Sequence, residues 1–180
     1  VRYTQEDEAI DIPARLAELA AYLKEETERL GLPMPRFLME PGRSIVADAG
    51  MTLYTVGSVK RIPGYKQYAA VDGGMTDNPR YALYQSRYTV YHAHKSGSLE
   101  RFDVVGRCCE SGDIIQPDVE LPGDTCRGDI LAVCTTGAYN YSMASNYNRL
   151  PRPAVVMLTP DRIYEAVRRE TFADLTGLDL

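Results

Sequence analysis

The chain has 180 residues, of which 44% are hydrophobic, and its formal net charge at pH 7 is -5. No apolar run reaches the roughly 20 residues that a membrane-spanning helix needs, and no cluster of Lys and Arg offers the basic face that binds nucleic-acid phosphates. We therefore expect a soluble globular chain of one or two domains with a small or zwitterionic substrate, and neither a membrane nor a nucleic acid as partner.

The cysteines and histidines argue against disulfides and metals. Four cysteines are too few and too unevenly spaced for a disulfide framework, and no CxxC pair indicates zinc. They are Cys108, Cys109, Cys126 and Cys134. His92 and His94 alternate along a predicted strand, which favours packing or solvent contact over metal binding. We expect reduced thiols, a cytoplasmic location and no metal site.

A helix is predicted to begin after Asp11 and to end at Leu30. Asp11 can cap its N-terminus, and Pro13 is favoured in a first helical turn. Gly31 is typical of the residue that follows a helix. Small and apolar side chains between these ends have the i, i+3, i+4, i+7 spacing of one buried face. They are Leu16, Leu19, Ala20, Leu23, Thr27 and Leu30.

The apolar run at 37–39 predicts a buried strand that ends in the turn Glu40-Pro41-Gly42-Arg43. Pro41 fixes its own φ and has no amide hydrogen, and Gly42 lets the backbone come close to a ligand. Arg43 offers a planar fork of donors to a phosphate or a carboxylate. The turn indicates an anion site, although a strand-to-helix turn that only needs glycine would look the same.

The pattern changes near residue 50. A short helical turn is predicted at 44–49, and β-branched or aromatic runs separated by Gly, Pro, Asp and Asn follow it. These runs predict strands at 52–62, 67–71, 88–94, 102–107, 130–134 and 154–158. Short strands at regular spacing form a sandwich or a barrel.

Two domains follow from this change. A lone helix and strand cannot bury both faces, because parallel strands occur in sheets that are covered on both sides. We therefore expect residues 1–49 to be the end of an alternating α/β domain and residues 50–180 to be a β domain. The whole chain is then expected to be the C-terminal part of a longer protein.

Three polar segments of the β region are candidates for a site. The Gly pair and Asn-Pro at 72–79 force a loop, and a helical turn after it places Arg80 and Tyr84 on one face. That pair could bind a carboxylate, or a solvated Arg80 could lie over a packed Tyr84. Cys109 and Glu110 follow a strand in a turn, although a buried structural cysteine is commoner. Tyr139 follows a glycine turn, where a packed aromatic is commoner.

These motifs occur in the order of one family. They are Glu40-Pro-Gly-Arg43, Asp72-Gly-Gly-Met75 with Arg80 and Tyr84, Cys109-Glu-Ser-Gly-Asp113, and Gly137-Ala-Tyr139. On these residues the chain, as far as Glu170, resembles the C-terminal part of the diaminopimelate decarboxylases. These are pyridoxal-phosphate enzymes of fold type III, the alanine racemase and ornithine decarboxylase-like group. The resemblance implies a mainly β sandwich or barrel domain, preceded by the last helix and strand of a TIM-like (β/α)8 barrel.

The resemblance also implies roles for single residues. Five residues are implied to bind the cofactor, and the backbone amides around Gly42 are implied to bind its phosphate. The five are Glu40, Pro41, Gly42, Arg43 and Tyr139. A set that recognises the distal carboxylate and ammonium of diaminopimelate is Arg43, Arg80, Tyr84, Glu110 and Tyr139. Cys109 is the implied acid that protonates the substrate carbon after CO2 leaves, and Cys108 is expected to pack.

Further expectations concern the assembly. In the family, Cys109 and Glu110 reach into the partner subunit's site, so a homodimer with shared active sites is implied. The lysine that binds the cofactor would lie upstream of residue 1, so the 180-residue chain is expected to be inactive by itself. One alternative is an ornithine or arginine decarboxylase, whose substrate ends in a bare cation that Arg80 would repel. The other is a non-catalytic β domain that only dimerises or binds.

Overall fold

The computed structural model describes residues 2–4 and 6–180 of the chain. The helices of this part are α1 (Ile12–Leu30), α2 (Arg43–Val46), α3 (Arg80–Tyr84) and α4 (Phe172–Thr176). The strands are β1 (Met51–Arg61), β2 (Gln67–Val71), β3 (Val90–His92), β4 (Leu99–Val105), β5 (Ile114–Pro122), β6 (Ile130–Cys134), β7 (Val155–Leu158) and β8 (Ile163–Val167). None of the described helices is long and apolar enough to cross a membrane.

Helix α1 begins and ends where the sequence predicts. The Asp11 carboxylate accepts a hydrogen bond from the amide of Ala14 at 3.0 Å, and Gly31 closes the helix with φ +65°. Its apolar stripe is not covered, since no residue of α1 is buried. The helix is therefore confirmed, whereas the prediction of a buried face is not fulfilled within this chain.

The predicted buried strand at 37–39 is not formed. Residues 32–42 contain neither helix nor strand, and Phe37, Leu38 and Met39 are at least 49% exposed. A strand needs a hydrogen-bonded neighbour about 5 Å away, and none of the described strands pairs with this segment. The turn predicted at 44–49 is present as α2 and the 3-10 turn Ala47–Ala49.

Six strands form one sheet in the order β3-β6-β1-β2-β4-β5. All neighbours are antiparallel except β2 and β4. The long strand β1 pairs with β6 through its first five residues and with β2 through the rest, and its register shifts between Val56 and Ser58. Such an irregularity bends a strand and lets a sheet curl.

The curled sheet is almost a closed barrel. Tyr88, just before edge strand β3, donates its amide to the buried side chain of Gln116 on the opposite edge strand β5 at 2.9 Å. The enclosed core contains apolar side chains of every strand of the sheet. Its members are Tyr54, Val56, Ala69, Val71, Tyr88, Val90, Phe102, Val104, Ile115, Val119, Leu121, Leu131 and Val133. The predicted barrel-like β domain is therefore confirmed.

Strands β7 and β8 form a separate antiparallel hairpin. Helix α4 follows this hairpin and begins with a capping box, in which Thr171 and Asp174 satisfy each other's backbone amides. The link from β6 to β7 contains short 3-10 turns at Tyr141–Met143 and Tyr147–Arg149. The second of these turns supports one of the loops described below.

Candidate functional site

Two turns from distant parts of the chain pack backbone against backbone. The amide of Gly137 donates to the carbonyl of Ala47 at 3.1 Å, and the amide of Thr136 donates to the carbonyl of Gly50 at 3.0 Å. A Cβ atom on Gly137 would overlap the carbonyl oxygen of Val46. Glycine is therefore required at 137, because it lets the turn that carries Tyr139 approach the segment that follows Arg43.

The ring of Tyr139 contacts two guanidinium groups. The guanidinium carbons of Arg43 and Arg80 are both 5.2 Å from the centroid of its ring. Arg80 is also 4.9 Å from the ring centroid of Tyr84. We call Arg43, Arg80, Tyr84 and Tyr139 the arginine-tyrosine cluster. The Tyr139 hydroxyl points toward Gly42, since a Cβ atom there would lie 3.6 Å from it.

Arg80 is the buried member of this cluster. It is 8% exposed, whereas Tyr84 is 60% exposed, so the alternative of a solvated arginine over a packed tyrosine is wrong. Within residues 2–4 and 6–180, no carboxylate lies within ion-pair distance of Arg80. Its Nη2 atom is 3.4 Å from Ser86 Oγ, and its Nε atom is buried without a partner. A buried cation without an anion is costly, so the cluster suits an anionic ligand.

The loop before Arg80 is fixed by two of its own carboxylates, those of Asp72 and Asp77. Asp77 accepts hydrogen bonds from the Tyr54 hydroxyl and, at 2.9 Å, from the amide of Gly74. Burial raises the pKa of Asp77, although these hydrogen bonds oppose the shift. The Asp72 carboxylate accepts the amide of Thr55 on β1 at 2.9 Å. The loop therefore presents α3 from a defined position on the sheet.

The turn between β4 and β5 carries Cys109 and Glu110, and we call residues 108–113 the thiol loop. Cys109 is exposed, and its amide donates to Asn148 Oδ1 at 2.6 Å. The Tyr147 hydroxyl lies 3.4 Å from Glu110 Oε2. The amide of Gly112 and the hydroxyl of Ser111 lower the pKa of the Glu110 carboxyl. The 3-10 turn at 147–149 therefore holds this loop from one side.

The neighbouring thiol differs in its environment. Cys108 is partly buried, and burial together with the charge of Asp113 raises its pKa to about 11. A thiol with this pKa stays neutral at pH 7. This environment agrees with the packing role that the sequence implies for Cys108.

The structure brings some of the predicted site residues together and leaves others apart. Gly42 adjoins the arginine-tyrosine cluster, and Glu40 and Pro41 lie exposed in the backbone that leads to it. Among the described residues, no hydrogen bond, ion pair or ring contact joins the thiol loop to this cluster. Within the described residues the thiol loop and the arginine-tyrosine cluster are therefore two separate groups.

Two aromatic residues of the cluster's surroundings were not identified from the sequence. The rings of Tyr3 and Tyr88 are in edge-to-face contact, with their centroids 5.2 Å apart. The guanidinium carbon of Arg43 lies 5.2 Å from the centroid of the Tyr3 ring. Burial raises the pKa of both tyrosines, and the nearby arginines oppose this shift. Neither residue belongs to a motif, and no local spacing relates position 3 to position 88, so the sequence offers no signal for the pair.

Comparisons with known proteins agree on one family. A family model described as pyridoxal-dependent decarboxylase, C-terminal sheet domain, matches residues 11–137. Diaminopimelate decarboxylase of Bacillus subtilis (strain 168) is 48% identical over 182 residues, which cover 100% of this chain and 41% of that protein.

Solved structures give the same result. Diaminopimelate decarboxylase from M. jannaschii, in complex with L-lysine, superposes with a TM-score of 0.89 at 32% identity over 99% of this chain and 40% of its own. The lysine/ornithine decarboxylase from Vibrio vulnificus, in complex with cadaverine, superposes with a TM-score of 0.68 at 27% identity over 84% of this chain and 39% of its own.

These relatives are much longer than this chain, which spans about two fifths of their length. The family model nevertheless extends from the cap of α1 to Gly137, and so includes both the arginine-tyrosine cluster's arginines and the thiol loop. The chain therefore belongs to the pyridoxal-dependent decarboxylases and contains their C-terminal sheet domain.

Proposed function

We propose that the protein to which this chain belongs is a diaminopimelate decarboxylase. It converts meso-2,6-diaminopimelate to L-lysine and CO2, the last step of lysine biosynthesis, with pyridoxal 5'-phosphate as cofactor. The observation that carries the proposal is the buried guanidinium of Arg80, which lies over the ring of Tyr139 and lacks a carboxylate partner among the described residues. The similarity to diaminopimelate decarboxylases over the whole chain supports it.

The residues present fit an anionic cofactor and a substrate with two amino-acid ends. When bound, pyridoxal phosphate supplies the electron sink for loss of CO2. The turn Glu40-Pro41-Gly42-Arg43 and Tyr139 would hold the cofactor phosphate through backbone amides, a guanidinium and a hydroxyl.

The substrate's distal end needs a cation and an anion. Arg80 and Tyr84 donate to the distal carboxylate, with Arg43 and Tyr139 beside them, and Glu110 accepts from the distal ammonium. Cys109 is exposed on the same loop as Glu110, and its Sγ atom donates a proton to the carbon that has lost CO2.

A shared site explains why the thiol loop stays apart from the arginine-tyrosine cluster. We propose a homodimer in which Cys109 and Glu110 of one subunit complete the site that holds Arg80 of the partner. Residues 1–49 are then the end of the cofactor-binding barrel, and residues 50–180 are the β domain. The four free thiols fit a cytoplasmic location.

An ornithine-type or arginine-type decarboxylase is the other enzyme to consider. Its substrate ends in a bare cation, which the guanidinium of Arg80 would repel at short range in a partly desolvated site. The structural similarity to the lysine/ornithine decarboxylase is also weaker than that to the diaminopimelate decarboxylase. A non-catalytic β domain would have no need for a buried, unpaired arginine.

Substitution of Arg80 tests the substrate assignment in the full-length protein. Arg80→Ala should weaken transition-state binding by about 2–5 kcal/mol, because it leaves a substrate carboxylate unpaired. The loss is measured as a fall in kcat/KM for diaminopimelate. Glu110→Gln should cost less, because it keeps an acceptor and loses only the charge. The matched control is Arg61→Ala, which removes another guanidinium that lies over an aromatic ring, Phe102 at 5.5 Å.

The control should leave kcat/KM unchanged, because Arg61 contacts the carbonyl of Gly123 and not the cluster. If Arg80→Ala kept kcat/KM for diaminopimelate within a few-fold of the parent value, the substrate assignment would be wrong. If the unmodified protein had a higher kcat/KM for ornithine than for diaminopimelate, the ornithine-type decarboxylase would be favoured instead.

A further inference from the structure

One buried carboxylate connects the loop before Arg80 with the thiol loop. Asp113 lies immediately before β5 and is 4% exposed. Its Oδ1 atom accepts a hydrogen bond from the amide of Met75 at 2.6 Å, and its Oδ2 atom accepts one from the amide of Cys108 at 2.6 Å. Each oxygen thus holds a different loop. No Lys or Arg of the described residues forms an ion pair with it.

Two glycines make room for this carboxylate. A Cβ atom on Gly74 would lie 2.6 Å from Asp113 Oδ1, and one on Gly106 would overlap the carboxylate. Neither glycine has a left-handed φ, so backbone conformation does not require glycine at either position. The space that the carboxylate occupies does require it. The arrangement therefore depends on three residues from three segments of the chain.

The two loops that Asp113 holds are those that carry the proposed substrate groups. Met75 belongs to the loop that leads into α3 and Arg80, and Cys108 directly precedes Cys109 and Glu110. We propose that Asp113 is a positioning residue that fixes the placement of the Arg80 loop relative to the thiol loop. The inference rests on the proposed function, because it assigns a purpose to the residues that bind the substrate's distal end.

The chemistry of the side chain makes the role testable. A carboxylate has two acceptor oxygens, whereas an asparagine has one acceptor and one NH2 donor. In Asp113→Asn one of the two amides, that of Met75 or that of Cys108, faces another donor and loses its hydrogen bond. One loop is then released while the volume of the side chain is kept. A glutamate would be too long for the space beside Gly74 and Gly106.

The first experiment measures kinetics of the full-length holoenzyme. Asp113→Asn should lower kcat/KM for diaminopimelate by about 10²-fold, the effect expected when reacting groups shift by about 1 Å. Loading with pyridoxal phosphate should not change, because Asp113 has no hydrogen bond to the turn at 40–43.

The matched control is Asp103→Asn. Asp103 is 5% exposed, and its carboxylate also accepts a backbone amide, that of Asp118 at 3.0 Å, besides the ammonium of Lys66. It connects β4 and β5 and contacts neither loop. Asp103→Asn should lower the melting temperature while kcat/KM stays at the parent value. Equal kinetic effects of the two variants, or none in Asp113→Asn, would overturn the inference.

A double-mutant cycle separates positioning from general loss of structure. If Asp113 acts through Glu110 and Arg80, Glu110→Gln and Arg80→Ala should each cost less in the Asp113→Asn background than in the parent. Fully additive effects would overturn the inference. If Glu110→Gln and Arg80→Ala had no effect even in the parent, the proposed function would fail and this inference with it.

A second variant covers the case in which Asp113→Asn does not fold. Gly74→Ala keeps the carboxylate but places a methyl group against it. The same fall in kcat/KM, with unchanged cofactor loading, is expected. Kinetics equal to the parent in this variant, with the carboxylate displaced in its crystal structure, would overturn the inference.

Discussion

The arginine-tyrosine cluster and the thiol loop differ in how much of their surroundings this chain supplies. The members of the cluster come from distant positions of the sequence, yet their side chains stack on each other within one chain. In the thiol loop, the Cys109 amide donates to the side chain of Asn148 and the Glu110 carboxylate accepts from the Tyr147 hydroxyl, while the Cys109 side chain is exposed. The cluster surrounds one buried guanidinium, that of Arg80, whereas the residues from Cys109 to Gly112 are exposed.

Their different chemistry explains the difference in burial. A guanidinium is weakly hydrated and can stack on aromatic rings, so it tolerates an enclosed position if an anion joins it. A thiol that must meet a substrate bound elsewhere has to remain accessible. The contrast supports a division of labour, in which one region binds and the other approaches from outside.

The largest expected effect separates the two regions by chemistry. In the full-length protein, Cys109→Ala should lower turnover by about 10² to 10⁴-fold, the usual cost of losing a positioned acid, with little change in substrate affinity. Steady-state kinetics with diaminopimelate measure both quantities. Because Cys109 is exposed, its removal should not change the melting temperature.

The adjacent cysteine is the matched control for this variant. Cys108→Ala removes a partly buried thiol whose pKa is raised to about 11, so stability should fall while turnover stays near the parent value. A larger kinetic effect at Cys108 than at Cys109 would show that the acid has been assigned to the wrong thiol.

The next prediction tests whether the two halves meet across a dimer. Full-length Cys109→Ala subunits are mixed with full-length subunits that lack the cofactor-binding lysine. Each mutant supplies what the other lacks, so activity should return at up to about one site per mixed dimer. No recovery in verified mixed dimers would mean that thiol and lysine belong to the same subunit's site.

The sheet was more predictable than the segments around it. Two strands, Gln67–Val71 and Ile130–Cys134, match their predicted bounds, because β-branched and apolar runs between turn residues are a local signal. Strand β5 was missed, since Gln116, Pro117 and Asp118 interrupt its apolar pattern. Gln116 is turned inward to hold the amide of Tyr88, which is a tertiary reason for a polar residue in a core strand.

The site was predictable only as a set of motifs. The resemblance assigned Arg43, Arg80 and Tyr139 to one substrate, but no local pattern predicted that the two guanidinium groups lie over the Tyr139 ring. Asp113 was visible only as the last residue of a motif, because its hydrogen bonds join positions 75 and 108 through space. Contacts between distant residues follow from the curl of the sheet, which has no local signature.

A moderate effect is expected where the backbone of the cluster is tightest. In Gly137→Ala the new methyl group would overlap the carbonyl of Val46, so the two turns must separate. Overpacking of this kind costs about 1–3 kcal/mol in the free energy of unfolding. The same change should weaken cofactor binding, because Arg43 and Tyr139 move apart.

The control is Gly97→Ala, since a Cβ atom at Gly97 meets nothing within 4 Å. Equal stability of the two variants would contradict the tight contact.

The smallest expected effect is one of pH, and it should reach the turn at 147–149, which contacts the thiol loop, but not the arginine-tyrosine cluster. Glu170 accepts hydrogen bonds from Arg152 and from Asn146, in the segment that leads to the turn at 147–149. These bonds, with Arg152 as the main cause, lower the pKa of Glu170 from 4.5 to about 2. Because the pKa is lower in the folded protein, the stabilisation is complete above pH 4.5 and is lost as the pH falls toward 2.

The amides of Arg149 and Leu150 should therefore lose protection from hydrogen exchange as the pH falls from 4.5 to about 2. The comparison is Glu170→Gln, in which the protection of these amides should already be lower and should change less with pH. The arginine-tyrosine cluster holds no carboxylate, so amides near Tyr139 should show no such difference between the two proteins. If both segments responded equally, acidification would be loosening the whole sheet. The thiol loop would then share the cluster's stability, and the contrast between the two halves of the site would be lost.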